Sequence, residues 1–345
     1  VAARLTDVPG ISAVLRGDLQ PEWAEAYASQ LTLAPYTGFY WVAYALTPFF
    51  GVDGAGRVFV SAYLLLFGVW LWRLGRELRS PPWAALTAFP FALSQTYFHG
   101  FLNYLFALPL LLLALHELRL AAAQHFGPAR LALHALLLGA IAWFHPLCLY
   151  AYAGLGALDL LATRSAATPA YLRALPGALA LIALAAWQSE SYRDAEKLVW
   201  WAPLGDSLHY LALLFGGPRP EPAWMALHVA CLLAIAAALV RSLSWRALDR
   251  RAGLQALAVL AAYLAVPFRI GSYTYVSWRL APLFGLMLAA LFARVPLPQR
   301  ARWTVGLACG LLGVDLALLQ LQVGQECAEI KPLIAKVERG ARVTA

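Results

Sequence analysis

The sequence contains few charged residues for its length. Only 13% of its 345 residues are Asp, Glu, Lys or Arg, whereas 62% are apolar. A typical soluble domain carries roughly 25% charged residues. This deficit, together with a mean hydropathy of +0.66, excludes a disordered chain, a fibrous repeat and an ordinary soluble enzyme. We therefore predict a membrane protein with a single polytopic domain.

Several functional motifs are missing as well. The cysteines form no metal-type spacing and no disulfide framework, so we predict that they are buried small hydrophobic residues. No Gly-rich phosphate loop of the Walker type occurs, which argues against ATP-driven work. The sequence begins with neither an initiator Met nor a signal peptide, and we expect a fragment that lacks its first span. The four cysteines are Cys148, Cys231, Cys309 and Cys327.

The hydrophobic runs separate into about ten predicted membrane spans. The predicted fold class is therefore all-α, a polytopic transmembrane helix bundle. A break at His145-Pro146 divides the fourth span from the fifth, because proline cannot continue the hydrogen bonding of a helix. The runs cover residues 57–72, 83–98, 102–118, 131–144, 147–162, 172–187, 223–240, 254–267, 280–292 and 303–321.

The basic residues are distributed unequally between the two sides of the predicted bundle. The loops after the odd-numbered spans hold 14 arginines, whereas the short turns on the other side hold only Arg269 and Arg279. Positive residues stay on the cytoplasmic side, so these loops are predicted to face the cytoplasm of a plasma (inner) membrane protein. Because the basic residues form short clusters between apolar runs, nucleic acid is not expected as a partner. The 14 residues are Arg73, Arg76, Arg79, Arg119, Arg130, Arg164, Arg173, Arg241, Arg246, Arg250, Arg251, Arg294, Arg300 and Arg302.

This orientation predicts three long extracytoplasmic segments. They are a first loop over residues 1–56, a loop over 188–222 within the transmembrane domain 57–322, and the start of a tail over 323–345. The aromatic-rich stretch 35–50 is either a further span or a helix lying in the outer interface. The charge count favours the interfacial helix, because a further span would reverse the side of every later loop.

Ionisable residues on the outer side are candidates for function. Arg269 and Arg279 bracket one outer turn and could grip a phosphate bidentately, although snorkelling toward lipid headgroups is an alternative. His99 and His145 lie at the outer ends of hairpins and could approach one another, which leaves a divalent metal site open. Further candidates for substrate binding are Asn103, Glu190 and Arg193.

Three acidic residues receive different interpretations. Asp7 lies in the first outer loop before Pro9-Gly10 and could accept a proton from a substrate hydroxyl, the alternative being a solvated loop acid. Asp159 and Asp315 lie within or at the edges of spans. For both of these we expect hydrogen bonds between helices.

Several stretches resemble bacterial polytopic proteins of the GT-C glycosyltransferase type. The runs FHGFLNYLFALPLLLLALHELR and AWFHPLCLYAYAGLGALDLL look like spans of that group, and VSWRLAP resembles its later Arg-containing turn. The opening TDVPG resembles the Asp-x-Pro stretch after its first span, although Ile11 stands near the place where a histidine often follows. The tail IKPLIAKVERGARVTA looks like the start of an outer soluble region.

The resemblance implies an enzyme that takes a sugar from a polyprenyl-phosphate carrier at the outer face. The acceptor would be a hydroxyl of a glycan, lipid or protein, with Asp7 as general base and inversion at the anomeric carbon. Arg279 or Arg269 would stabilise the leaving phosphate. Some members use a divalent cation, which leaves a cation as a possible cofactor. Two alternatives are a transporter or flippase of a lipid or glycan, and a catalytically silent scaffold of the same fold.

Overall fold

The structure is a computed structural model. It describes residues 35–78, 87–88, 91–92, 101–123, 127–163, 176–177, 179–181, 183–184, 199–213, 222–242, 248–270 and 275–335. This part of the chain is almost entirely helical, which confirms the predicted all-α class. The helices are α1 (Gly38–Leu78), α2 (Leu102–Ala123), α3 (Pro128–Phe144), α4 (Pro146–Thr163), α5 (Leu204–Leu213), α6 (Pro222–Arg241), α7 (Arg250–Ala265), α8 (Leu280–Phe292) and α9 (Gln299–Ala335), with the short strands β1 (Val199–Trp200) and β2 (Arg269–Ile270).

Eight of the ten predicted spans coincide with helices. The predicted spans 83–98 and 172–187 lie mostly outside the described residues. Two helical segments, Gly54–Arg76 and Leu102–Leu120, are long and apolar enough to cross a membrane, whereas Pro128–Phe144, Ala226–Arg241 and Leu280–Phe292 are apolar but shorter. The bundle of ten spans therefore stays a prediction. The helix α9 continues past the predicted domain boundary at residue 322.

Two breaks in helical geometry fall where the sequence predicts a change of segment. Within α1, Gly51 has a φ of 67° and a ψ of 175°, a conformation that glycine adopts without the steric cost of a Cβ. It separates the aromatic stretch from the predicted first span. The helix α3 ends at Phe144 and α4 begins at Pro146, where the missing N–H of proline costs no helical hydrogen bond. The predicted break at His145-Pro146 is confirmed.

The helix α2 lies at the centre of the bundle and packs against α1, α3 and α4. Its Leu105, Leu108 and Leu111 are at most 1% exposed. A helix that is apolar on all sides is typical of a fully enclosed position. On the other side of the bundle α7 packs against α8 and α4, while α6 packs against α9. As a result, the helices α2, α4 and α8 all begin at the same end of the bundle.

Large apolar side chains lie on the outer helix faces as well as in the core. Of those on the outer faces, Leu136 is 72% and Leu161 75% exposed. Glu117, Asp159 and Asp315 are at most 5% exposed. Soluble monomers rarely expose large apolar areas, and polar groups that face a bundle interior are the rule when lipid surrounds the bundle.

The buried acids pair with side chains of neighbouring helices. Arg119 Nε lies 2.8 Å from Asp159 Oδ2, and its Nη2 donates to Gln255 Oε1 at 2.7 Å, which joins α2, α4 and α7. His228 Nε2 lies 2.7 Å from Asp315 Oδ2 between α6 and α9. Both acids thus form the hydrogen bonds between helices that the sequence analysis predicts. Arg119, which was counted in a cytoplasmic loop, instead belongs to a helix because α2 extends to Ala123.

Candidate anion-binding site

Three distant chain segments meet at the end of the bundle where α2, α4 and α8 begin. The first turn of α2 contributes Tyr104, the junction of α3 and α4 contributes His145, and the turn before α8 contributes Trp278 and Arg279. We name these four residues the donor cluster. The backbone N–H of His145 donates to the carbonyl of Ile141 at 2.8 Å, so the end of α3 fixes the position of the histidine.

Contacts within the donor cluster and with one neighbouring ring hold the arginine in place. Arg279 Nη1 lies 3.2 Å from His145 Nε2. Its guanidinium carbon lies 4.2 Å from the ring centroid of Phe101, a cation–π contact. The rings of Tyr104 and His145 meet edge to face with centroids 5.1 Å apart. The sequence analysis predicted roles for His145 and Arg279 separately, and the structure brings the two together.

Each member of the donor cluster has a buried polar atom without a hydrogen-bond partner among the described residues. These atoms are the Tyr104 hydroxyl oxygen, His145 Nδ1, Trp278 Nε1 and Arg279 Nε. Leaving such a group unpaired costs about 1–3 kcal/mol, and native proteins satisfy nearly all of them. Indole and guanidinium nitrogens only donate hydrogen bonds. The cluster is therefore suited to a ligand that is rich in acceptor oxygens.

Arg279 also carries a charge that no carboxylate in the described ranges neutralises. The ion pairs in that part of the chain all involve other residues. Burial lowers the pKa of Arg279 below its usual value, yet a guanidinium stays protonated in proteins. Burial, and then the adjacent Arg279 charge, lower the pKa of His145 well below its usual value. The site thus combines a neutral imidazole with an uncompensated cation, which favours an anionic ligand.

Aromatic side chains surround the donor cluster. Tyr210 of α5 stacks on Trp278 with ring centroids 4.2 Å apart. Phe268 meets the same indole at 4.8 Å, and Tyr36 approaches His145 edge-on at 4.8 Å. Because such surroundings exclude water and have a low dielectric constant, they strengthen the attraction between the guanidinium and an anion.

Asn103 holds the chain that precedes α1. Its Nδ2 donates to the carbonyl of Tyr36 at 2.7 Å, and its Oδ1 accepts from the backbone N–H of Phe39 at 2.7 Å. Tyr36 has a φ of 70°, a left-handed conformation that costs free energy in a residue with a Cβ and needs such support. Asn103 therefore positions Tyr36 against His145, and its predicted role in substrate binding stays a prediction.

Arg269 lies on the strand pair at the same end of the bundle. Its partner across the antiparallel pair is Trp200. The backbone N–H of Val276 donates to the carbonyl of Phe268 at 2.9 Å, which joins the chain beside Arg269 to the chain shortly before Arg279. Arg279, rather than Arg269, is the arginine that contacts His145.

An apolar groove begins beside the donor cluster. It has a volume of about 240 Å³ and is lined by α4, α7 and the first turn of α8. Leu280, which directly follows Arg279, lines one end together with Leu147. Leu158 lies eleven residues further along α4, a distance of about 16 Å at the rise of an α-helix. The groove thus runs from residues that adjoin the donor cluster along α4 as far as Leu158.

The donor cluster does not suit a divalent cation. Its unpaired atoms include N–H donors, and Arg279 adds a positive charge, whereas hard cations need oxygen ligands. Within the described ranges, no group of three or more His, Cys, Asp or Glu side chains is placed to hold a metal ion. We therefore assign no step of a reaction to a metal.

Four predicted site residues, Asp7, His99, Glu190 and Arg193, lie outside the described residues. Their roles and the approach of His99 to His145 stay predictions. The sequence analysis missed Tyr104 and Trp278, which neighbour Asn103 and Arg279 in the chain. The Tyr104 hydroxyl and the Trp278 indole N–H are recognisable as candidates only in the structure, where both are buried without a hydrogen-bond partner among the described residues.

Burial also bears on the cysteines, since Cys148, Cys231 and Cys309 are free and buried as predicted. No functional role follows for them.

The chain matches no protein-family model, no curated protein and no solved structure.

Proposed function

We propose that this chain is a multi-pass membrane glycosyltransferase whose donor cluster binds the phosphate of a polyprenyl-phosphate-linked sugar. The sugar passes to an acceptor hydroxyl at the extracytoplasmic face of the plasma membrane. The observation that carries the proposal is the charge of Arg279, which has no carboxylate partner in the described ranges and adjoins unused polar atoms on three other side chains. The resemblance of the spans and short motifs to the GT-C type supplies the reaction.

A phosphate matches the donor cluster in both charge and hydrogen bonding. It offers several acceptor oxygens and at least one negative charge, whereas the cluster offers donors and a cation. Charge-assisted hydrogen bonds of this kind contribute about 1.5–3 kcal/mol each. A ligand held in this way would satisfy the buried atoms that the protein itself leaves unpaired.

The apolar groove supports a lipid-linked ligand rather than a free phosphate. Its lining is formed by leucines, alanines and valines together with Tyr150 and Gly154. A hydrocarbon chain attached to a phosphate at Arg279 would enter the groove directly at Leu280. Because such a chain already lies in lipid, packing against the groove rather than removal from water would hold it there.

The proposed reaction needs a base that accepts the proton of the acceptor hydroxyl and a group that stabilises the leaving phosphate. The acceptor oxygen forms a bond to the anomeric carbon on the face opposite the leaving group, and its proton passes to the Asp7 carboxylate. The bond from that carbon to the phosphate oxygen breaks, and its electron pair stays on the phosphate. Arg279 stabilises the developing charge. General-base assistance contributes roughly 10²–10⁴ in rate.

The buried acids support an enzyme over the alternative of a transporter. A transporter of charged substrates needs ionisable groups along its path. Asp159 and Asp315 lie within or at the edges of predicted spans, and each is hydrogen-bonded to a neighbouring helix. These hydrogen bonds hold neighbouring helices together, so no transport role is needed to explain why the two acids are buried.

Binding of decaprenyl phosphate and of uncharged decaprenol to the purified full chain tests the proposed ligand. We expect the phosphate to bind more tightly, and Arg279→Gln to weaken its binding by about 10–150-fold through the lost charge-assisted hydrogen bonds. Arg250→Gln is the matched control, because Arg250 is exposed at the opposite end of the bundle. Equal binding of decaprenol and decaprenyl phosphate would contradict the proposal.

Sugar transfer from a polyprenyl-phosphate sugar tests the proposed base separately. We expect Asp7→Asn to abolish transfer and to leave the binding of decaprenyl phosphate unchanged, since Asp7 acts on the acceptor. Transfer at the wild-type rate by this variant would remove Asp7 from the mechanism.

A further inference from the structure

His145 is held in a single orientation by its surroundings. Its ring is 3% exposed and lies edge-on to Tyr36 and Tyr104, with centroid distances of 4.8 and 5.1 Å. Its backbone is fixed between the end of α3 and Pro146. The two ring nitrogens therefore occupy distinct environments and cannot exchange by a rotation of the side chain in place.

The contact with Arg279 determines which nitrogen of His145 carries the hydrogen. A guanidinium donates hydrogen bonds and cannot accept them. Because Arg279 Nη1 lies 3.2 Å from Nε2, Nε2 must be the acceptor and must lack a hydrogen. In a neutral imidazole the hydrogen then resides on Nδ1, and Nδ1 has no acceptor among the described residues.

We infer that His145 is a positioning residue in the neutral Nδ1–H tautomer, which orients the Arg279 guanidinium through Nε2 and presents Nδ1–H as a further donor to the phosphate. The donor role rests on the proposed function, whereas the tautomer rests on the geometry alone. Because Nε2 accepts from Arg279, the hydrogen of the neutral ring lies on Nδ1, where it can be donated to the ligand.

The groups that face His145 are consistent with a neutral ring. The ionisable side chains around it are Tyr36, Tyr104 and Arg279, with Cys148 one helical turn further along α4. Tyrosine and cysteine side chains are ordinarily uncharged at neutral pH. None of these groups supplies a negative charge that would favour an imidazolium beside the guanidinium.

Two amide substitutions separate the two nitrogens of the ring. In His145→Gln the amide oxygen reaches the position of Nε2 and retains an acceptor for Arg279. In His145→Asn the amide nitrogen reaches only the position of Nδ1, so Arg279 loses its acceptor. We expect His145→Gln, which lacks the Nδ1–H donor, and His145→Asn, which lacks the acceptor for Arg279, each to bind decaprenyl phosphate about tenfold or more weakly than the wild type. His145→Ala lacks both groups and should bind it most weakly.

Side-chain nitrogen NMR of the wild-type chain in detergent reports the tautomer without a ligand. The His145 signals are assigned by their loss in His145→Gln, and His209→Gln, a change on the exposed face of α5, is the control for assignment and folding. We expect an unprotonated Nε2 and a protonated Nδ1. A protonated Nε2, or wild-type binding by His145→Gln or His145→Asn, would overturn the inference. Failure of the wild type to bind decaprenyl phosphate would overturn the proposed function and the donor role, while the spectrum would still decide the tautomer.

Discussion

Arg279 and His145 contact one another at 3.2 Å although 134 residues separate them in the chain. The contact joins the turn before α8 to the junction of α3 and α4, and it leaves a half-buried cation without a carboxylate partner in the described ranges. A partly buried charge without a counter-ion costs desolvation free energy. The proposed anionic ligand would offset that cost.

The lowered pKa of His145 makes stability depend on pH. An unfolded histidine titrates near 6.5, whereas burial and then Arg279 hold the folded pKa well below that value. The contribution of the neutral ring is thus complete above pH of about 6.5 and is lost as the pH falls toward the folded pKa, by up to about 1.4 kcal/mol per pH unit. Thermal unfolding between neutral pH and pH of about 5 should show a smaller loss in His145→Gln than in the wild type. Identical pH dependence in both would contradict this prediction.

The pair of Arg119 and Asp159 is expected to stabilise the packing of α2 against α4. Their side chains are 15% and 5% exposed, and breaking a buried pair by removing one charge costs about 3–5 kcal/mol. We expect Asp159→Asn to lower the unfolding temperature markedly, while Asp206→Asn on the exposed face of α5 leaves it unchanged. Replacement of both partners, as in Arg119→Met with Asp159→Leu, should recover only part of the loss, because Gln255 Oε1 then loses its donor. A stable Asp159→Asn chain would show that the pair contributes little.

Two glycines should respond in opposite directions to the same substitution. A Cβ at Gly285 in α8 would overlap the ring of Phe91, whereas a Cβ at Gly313 in α9 would have no heavy atom within 4 Å. We expect Gly285→Ala to destabilise the chain by about 1–3 kcal/mol through overpacking. Gly313→Ala should instead stabilise it by up to about 1 kcal/mol, since alanine favours a helix interior. Comparison of the two unfolding temperatures checks the packing of α8 on residue 91.

Cysteine labelling on intact cells tests the predicted orientation. Trp201 is 55% exposed at the end that carries the donor cluster, and Arg250 is exposed at the opposite end. In a chain whose native cysteines are replaced, a membrane-impermeant maleimide should label Trp201→Cys directly and Arg250→Cys only after the cells are opened. The reverse pattern would place the donor cluster on the cytoplasmic side and would remove the proposed extracytoplasmic reaction.

Local sequence features account for most of the helices. The predicted runs 102–118 and 280–292 fall within α2 and α8, and the break at His145-Pro146 is confirmed because the loss of a helical hydrogen bond at proline does not depend on neighbouring helices. Helix ends were less predictable. The helix α2 continues past Arg119 to Ala123, because partners on α4 and α7 make a buried arginine favourable there.

The amino-acid sequence by itself determined the helical class, the excess of apolar residues and the presence of Arg279 and His145 on the same predicted side. These features depend on composition and on short periodic patterns, which are local properties of the chain. Only the tertiary structure decided that the two side chains touch, that Tyr104 and Trp278 join them, and that an apolar groove begins beside them. Such contacts depend on how helices far apart in the chain pack together, and no local pattern specifies that packing.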